Sequence, residues 1–359
     1  MTLREYIDPG TFVARLLRQT VRDLRDLVQA AADAGAERPL GAGVTALTEW
    51  ALAHEHAEFF HGVVFDQSIS ATERLVRAAE DAAEGLITLL ESDREHRTAL
   101  MSLERVVSEA TMRLCYMLDS NQPPPRIALR ILAVMVDSIE GNRRAGLAFG
   151  SAGNVDQIEG SITGLHEMLE RFEVERTPHK TDRFTTINVR LEGLTENVQF
   201  NATEAFARYL PNTPWQWNVS SGAAHSRGWM LSTLVDTSRE PALTSYEDVC
   251  LAVGLTMLEV ADAIVNTATG HTGVDVEALR GAIHRRRFGM TQWRQPNDDG
   301  LPILSWREYR TARGVDHSWS TAPSATFLPR PRCWVRNRYR SRVLYLAGSG
   351  STNREPMRR

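Results

Sequence analysis

The chain reads as an all-α protein, a bundle of about eight to ten helices followed by a poorly structured basic tail. Three observations predict this. Apolar residues recur at spacings of three and four through most of residues 1–287. The breaks between these runs are short and carried by Gly and Pro. Beyond Phe288 the periodicity stops while Arg, Trp and Pro scatter without a face.

Taken in order, residues 11–34 place Phe12, Leu16, Leu17, Val21, Leu24, Leu27 and Val28 on one helical stripe, with Asp8-Pro9 as the start. A second helix is expected over 44–64, carrying Trp50, Leu52, Phe59 and Phe60. A third is expected over 70–91, where Ser70 and Glu73 have capping-box order. Residues 93–118 give the strongest pattern, with Leu100, Leu103, Val107, Ala110, Leu114 and Met117 on one face. Pro123-Pro124-Pro125 ends that run. Helices over 126–148 and 154–174 flank a turn at Gly150 to Gly153. Between 176 and 201 the pattern weakens. Residues 184–189 have strand composition but no evident partner, so the stretch reads as irregular or a poor helix, and two subdomains would meet there. Helices follow over 202–210, 218–236, 244–268 and 274–287, the last ending in Arg285-Arg286-Arg287 at the carbonyl end of the dipole.

The charge is uneven. Residues 285–359 hold 16 arginines against five acids, so with −4 overall the first 284 residues carry −15. All but one of the 41 basic residues are arginine, Lys180 being the exception, which is the mark of a GC-rich coding sequence more than of a ligand. The tail over 288–359 is read as a disordered arm, as an arm that weakly attracts RNA, or as an out-of-frame translation. Three distant cysteines, Cys115, Cys250 and Cys333, do not make a disulfide framework. With a charged N-terminus and no apolar run of about 18–20 residues, a cytoplasmic protein with no membrane partner is expected. A homodimer stays open as an oligomeric state. No Gly-rich phosphate loop or nucleophile elbow occurs, and no cofactor is expected.

Three constellations carry candidate chemistry. Arg105, Glu109 and Arg113 stand at i, i+4 and i+8, either as a surface ion-pair ladder or as a polar group turned inward. Later in the chain the run from Ser220 to Ala224 allows close helix approach. His225 follows it as an acid, base or hydrogen-bond donor, and Trp229 as an anchor. These five residues form the expected binding pocket, with His225 and Glu109 as the catalytic candidates should there be catalysis. Finally, His54, Glu58 and His61 share one face if 44–64 is a continuous helix, and Glu58-x-x-His61 is the spacing used in di-metal bundles. A comparable second pair is missing, so no metal is the primary expectation.

Two segments, Arg105-Val-Val-Ser-Glu109 followed by Arg113-Leu-Cys-Tyr-Met-Leu-Asp119, and Ser221-Gly-Ala-Ala-His225-Ser-Arg-Gly-Trp229, resemble a group of uncharacterised all-helical actinobacterial proteins. That resemblance covers residues 97–240 and implies no established activity. In architecture the chain is also similar to HEPN-type helical bundles, some of which are RNases with an Arg-x(4–6)-His motif. The chain departs from that motif, since Arg208 is too far from His225, and Arg310 and His317 lie in the tail. The function these features predict is a helical binding or interaction protein with a polar Arg/Glu/His pocket. The alternatives are a HEPN-like RNase or phage-defence protein using His225, and a metal-dependent bundle enzyme using His54, Glu58 and His61.

Overall fold

The computed structural model describes residues 8–148, 152–225 and 246–293, the side chains of 152–154, 214, 215 and 293 aside. Trp229, the second half of the helix expected over 218–236, and the tail from residue 294 onward lie outside the described residues. The described chain is predominantly helical. Its helices are α1 (Pro9–Glu37), α2 (Gly43–Ala53), α3 (Phe65–Leu90), α4 (Arg97–Met117), α5 (Pro124–Ala148), α6 (Ala152–Arg171), α7 (Ala202–Tyr209), α8 (Pro214–Ala224), α9 (Tyr246–Thr272) and α10 (Glu277–Trp293). A π-helical segment, Glu58–Val64, leads into α3. Among the described residues no helix is long and apolar enough to cross a membrane.

Two hydrophobic clusters organise these elements. One is built from α1, α3, α4, α9 and α10 with Phe206 and Trp217 from α7 and α8. The other gathers α2, the π segment, α5, α6 and a small sheet. α4 belongs to both, giving Val107, Met112 and Cys115 to the first and Leu114 and Met117 to the second. α9 is apolar on nearly every side and accordingly central: Val249, Val253, Leu258, Ala261 and Val265 are all closed to solvent. At Gly254 the side chains of Met290 from α10 and Val13 from α1 come so close that a Cβ would sit 2.9 Å from each. Three helices therefore meet where one has no side chain.

Four expectations are corrected. First, residues 44–64 are not one helix. α2 ends at Ala53, His54 takes an extended conformation, and the chain resumes as the π segment, whose wider turn lets adjacent Phe59 and Phe60 both face the core. Second, that segment runs directly into α3, so Ser70 lies inside a helix and caps nothing. Third, residues 184–189 are not irregular. Strands β1 (Glu175–Pro178), β2 (Thr186–Leu191) and β3 (Leu194–Asn197) form an antiparallel meander with Arg176 opposite Val189 and Asn188 opposite Asn197. Its second turn, Glu192-Gly193, has positive φ at both residues, the two-residue hairpin geometry whose twist matches that of the strands. Fourth, the last helix continues to Trp293, because Ile283, Arg286 and Met290 form a buried stripe that crosses the expected end at 287. Arg286 and Arg287 thus do not sit at a helix terminus. Arg286 binds Asp23 and Thr20 of α1, and Arg287 binds Asp262 of α9.

A buried carboxylate ties the start of β2 to the helices. Glu140 of α5 accepts from the Thr186 amide (2.8 Å) and hydroxyl (2.6 Å) at the start of β2, and lies 3.2 Å from His166 Nε2 of α6. A carboxylate so fully engaged can be buried at tolerable cost.

Candidate functional site

The two segments singled out in the sequence do meet, as α4 and α8 pack against each other. Arg105 apart, which lies over Trp217, the residues that meet across this seam are others. Glu104 and Ser108 from α4 and Gln216 and Ser220 from α8 are all fully buried. Ser108 Oγ donates to Glu104 Oε1 (2.8 Å), Gln216 Nε2 lies 3.2 Å from Met101 Sδ, and Ser220 Oγ donates to the Gln216 carbonyl (2.9 Å). Glu104 Oε2, Gln216 Oε1, Thr111 Oγ1 and Arg105 Nη1 are buried without a hydrogen-bond partner. Burial pushes the Glu104 carboxyl up to about 7, against the opposing pull of its Ser108 hydrogen bond, of the neighbouring Ser220 and Gln216 side chains and of the Arg105 charge. A residue of Glu104 type at i, with Ser108 at i+4 and Thr111 at i+7 inside an apolar stripe, is the signal that would have found this seam.

Arg105, Glu109 and Arg113 take the ladder arrangement. Glu109 lies 3.7 Å from Arg105 and 3.3 Å from Arg113, which also pairs with Asp137 at 3.6 Å. The cations are laid on aromatic faces, Arg105 over Trp217 at 3.9 Å and Arg113 over Phe200 at 4.6 Å. Burial lowers the Arg105 pKa from its ordinary value. His225 closes α8 from an exposed position, its amide donating to Ser221 O. Among the described residues no hydrogen bond or ion pair joins it to Glu109. Removing the Glu109 side chain (Glu109→Ala) is expected to change stability by less than about 1 kcal/mol in urea unfolding, since a part-exposed ladder is worth little.

A second polar cluster lies where α4 ends. Asp119, almost wholly buried, accepts from Arg208 Nη2 (2.6 Å), Tyr209 OH (3.1 Å) and the Asn121 amide (3.1 Å) and pairs with Arg130 at 3.5 Å. Arg130 also donates to the Tyr116 carbonyl (3.0 Å) and stacks over the Tyr116 ring at 4.3 Å. Tyr116 in turn donates to Glu196 Oε1 (2.6 Å), and Arg126 donates to Glu196 Oε2 (3.3 Å). Burial, reinforced by Glu196 for Tyr116 and by Asp119 for Tyr209, holds both phenols well above their usual range. They act here as hydrogen-bond donors.

Tyr209 also borders a cleft of ≈ 360 Å³ between α9 and α10, within the usual range for small-ligand sites. α10 lines it with Arg280, His284 and Arg287, at helical spacing, and α9 with Glu259, Asp262 and Asn266. The acids are already engaged. Glu259 accepts from the Asn212 amide (2.6 Å) and the Thr213 hydroxyl (2.5 Å), and Asp262 pairs with Arg287. Arg280 contacts a neutral acceptor, Asn266 Oδ1 (3.0 Å), and makes no ion pair among the described residues. His284 is exposed beside it.

His54, Glu58 and His61 do not converge. His54 sits between the helices with Nε2 3.4 Å from Glu192, while His61 stacks on Phe65 with ring centroids 6.1 Å apart. They share a face only on a continuous α-helix, which the break at His54 and the π turn abolish. No family model, curated protein or solved structure matches the chain.

Proposed function

We propose that the chain is a binding protein whose cleft between α9 and α10 receives an anionic group of a small polar ligand. The observation that carries this reading is the charge arrangement of the cleft. Asp262 is neutralised by Arg287 and Glu259 is turned onto the Asn212 amide and the Thr213 hydroxyl, whereas Arg280 and His284 line the cleft with donors that no acid engages among the described residues. A guanidinium beside an imidazole suits a phosphate or carboxylate, and Tyr209, Asn212 and Asn266 add neutral polar contacts that would orient the rest of the ligand.

The test is thermal unfolding against a panel of phosphorylated and carboxylated small molecules, each paired with its neutral counterpart. Anionic members are expected to stabilise the protein and neutral ones not to. Arg280→Gln should weaken the apparent affinity about tenfold, the worth of one charge-assisted hydrogen bond. Arg77→Gln, on the exposed side of α3, should leave it unchanged. Equal responses in the two variants would remove this assignment.

A further inference from the structure

We infer that Glu55, His56 and Glu173 form a binding site for a first-row divalent metal ion such as Zn²⁺. One carboxylate oxygen from each glutamate and one nitrogen of His56 lie within 4.8 Å of one another. Around a tetrahedral zinc at about 2.1 Å, ligand atoms sit about 3.4 Å apart, so rotation of two partly free carboxylates closes the set. Both glutamates are exposed and able to make that adjustment.

The histidine is the packed part of the site. Its ring packs edge-on against Phe172 (centroids 5.5 Å), and Phe172 stacks face to face on Phe59 of the π segment (4.3 Å, 8° between planes). The His56 amide donates to His54 Nδ1 at 3.1 Å, fixing the backbone on the other side. Thus held, His56 Nε2 is closed to solvent and has no hydrogen-bond partner. A buried imidazole nitrogen without a partner is costly, and a metal ligated through it would satisfy it. The same Phe59–Phe172 stack delivers the third ligand, because Glu173 directly follows Phe172. It leaves α6 in a left-handed conformation, φ 60°, that a non-glycine residue adopts only at some cost.

The donor set narrows the ion. Ca²⁺ and Mg²⁺ take oxygen ligands throughout, while an imidazole with two carboxylates and no thiolate suits Zn²⁺, Mn²⁺, Fe²⁺ or Co²⁺. Three protein ligands leave a coordination position open to water or to a ligand.

The experiment is calorimetric titration of the full chain with Zn²⁺, repeated with Co²⁺ and read by its visible absorption. Wild type should take up one ion per chain. His56→Gln and Glu173→Gln should each weaken binding at least about tenfold, and His179→Gln, at an exposed histidine outside the cluster, should leave it intact. Glu173 is exposed, so its variant keeps the fold and tests the site even if His56→Gln destabilises the loop. Absence of Zn²⁺ uptake by wild type, or affinity retained by either ligand variant, overturns the assignment.

Discussion

Glu104→Gln is expected to make the protein more stable at pH 8 and to flatten its stability between pH 4.5 and 7. The native carboxyl titrates at about 7 and the free one at 4.5. Between these values the folded chain binds the extra proton, so stability from this group is full below 4.5 and lost as pH rises through 7. A shift of this size corresponds to ~3 kcal/mol. The protonated acid has a hydrogen to donate, whereas the carboxylate has none, and Glu104 Oε2 and Gln216 Oε1 are both buried without a partner. A glutamine supplies such a donor at every pH. Urea midpoints of the wild type and the variant at pH 5 and pH 8 decide the matter. Parallel pH dependence in the two proteins would show that Glu104 is not the titrating group.

Arg130→Ala is expected to destabilise by about 3–5 kcal/mol, the range for removing one partner of a buried ion pair. Arg130 is 5% exposed and stands between Asp119, which is almost wholly buried, and the half-buried Glu196. Its loss also frees the Tyr116 carbonyl and strips the cation from the Tyr116 ring. Arg130→Lys should recover little, since a point charge cannot span both acids and the carbonyl as a planar fork does. Arg126→Ala, at the more open edge of the same cluster, should cost under about 1 kcal/mol. Denaturant unfolding of the three variants tests the contrast. Similar losses for Arg126→Ala and Arg130→Ala would contradict it.

The long helices were legible because their apolar residues repeat along one face. Phe12, Leu16 and Leu27 mark α1, Leu100 and Val107 mark α4, and Leu251, Leu258 and Val265 mark α9; each is buried. The small sheet was not legible. β2 alternates buried Val189 and Leu191 with exposed Arg190, but its partners Glu175–Pro178 and Leu194–Asn197 are short and largely solvated, so they carry no alternation to read. The π segment was hidden for a related reason, since Phe59 and Phe60 look like a helix face until the wider turn is known. At the seam, the helices that pair could be chosen from small residues and charge spacing. Which carboxylate turns inward is decided by the rotation of α4, and that rotation selects Glu104 over Glu109. Arg130 was passed over because it interrupts an apolar run, Ile127 to Val136, that is helical with or without it. The Arg280 cleft depends on how α9 and α10 face each other across a turn, which no local pattern specifies.

The sharing of α4 between both hydrophobic clusters bears on how the molecule opens. A helix that closes only one core can be released by a local fluctuation, at a cost below that of unfolding the whole. α4 would have to leave two at once, with Leu100 and Met101 anchored in one and Met117 in the other. Its backbone amides therefore belong to the last-exchanging class, exposed to solvent only when the chain unfolds globally. α10 carries no such double tether, since its buried Ile283 and Met290 belong to the first cluster alone among the described residues.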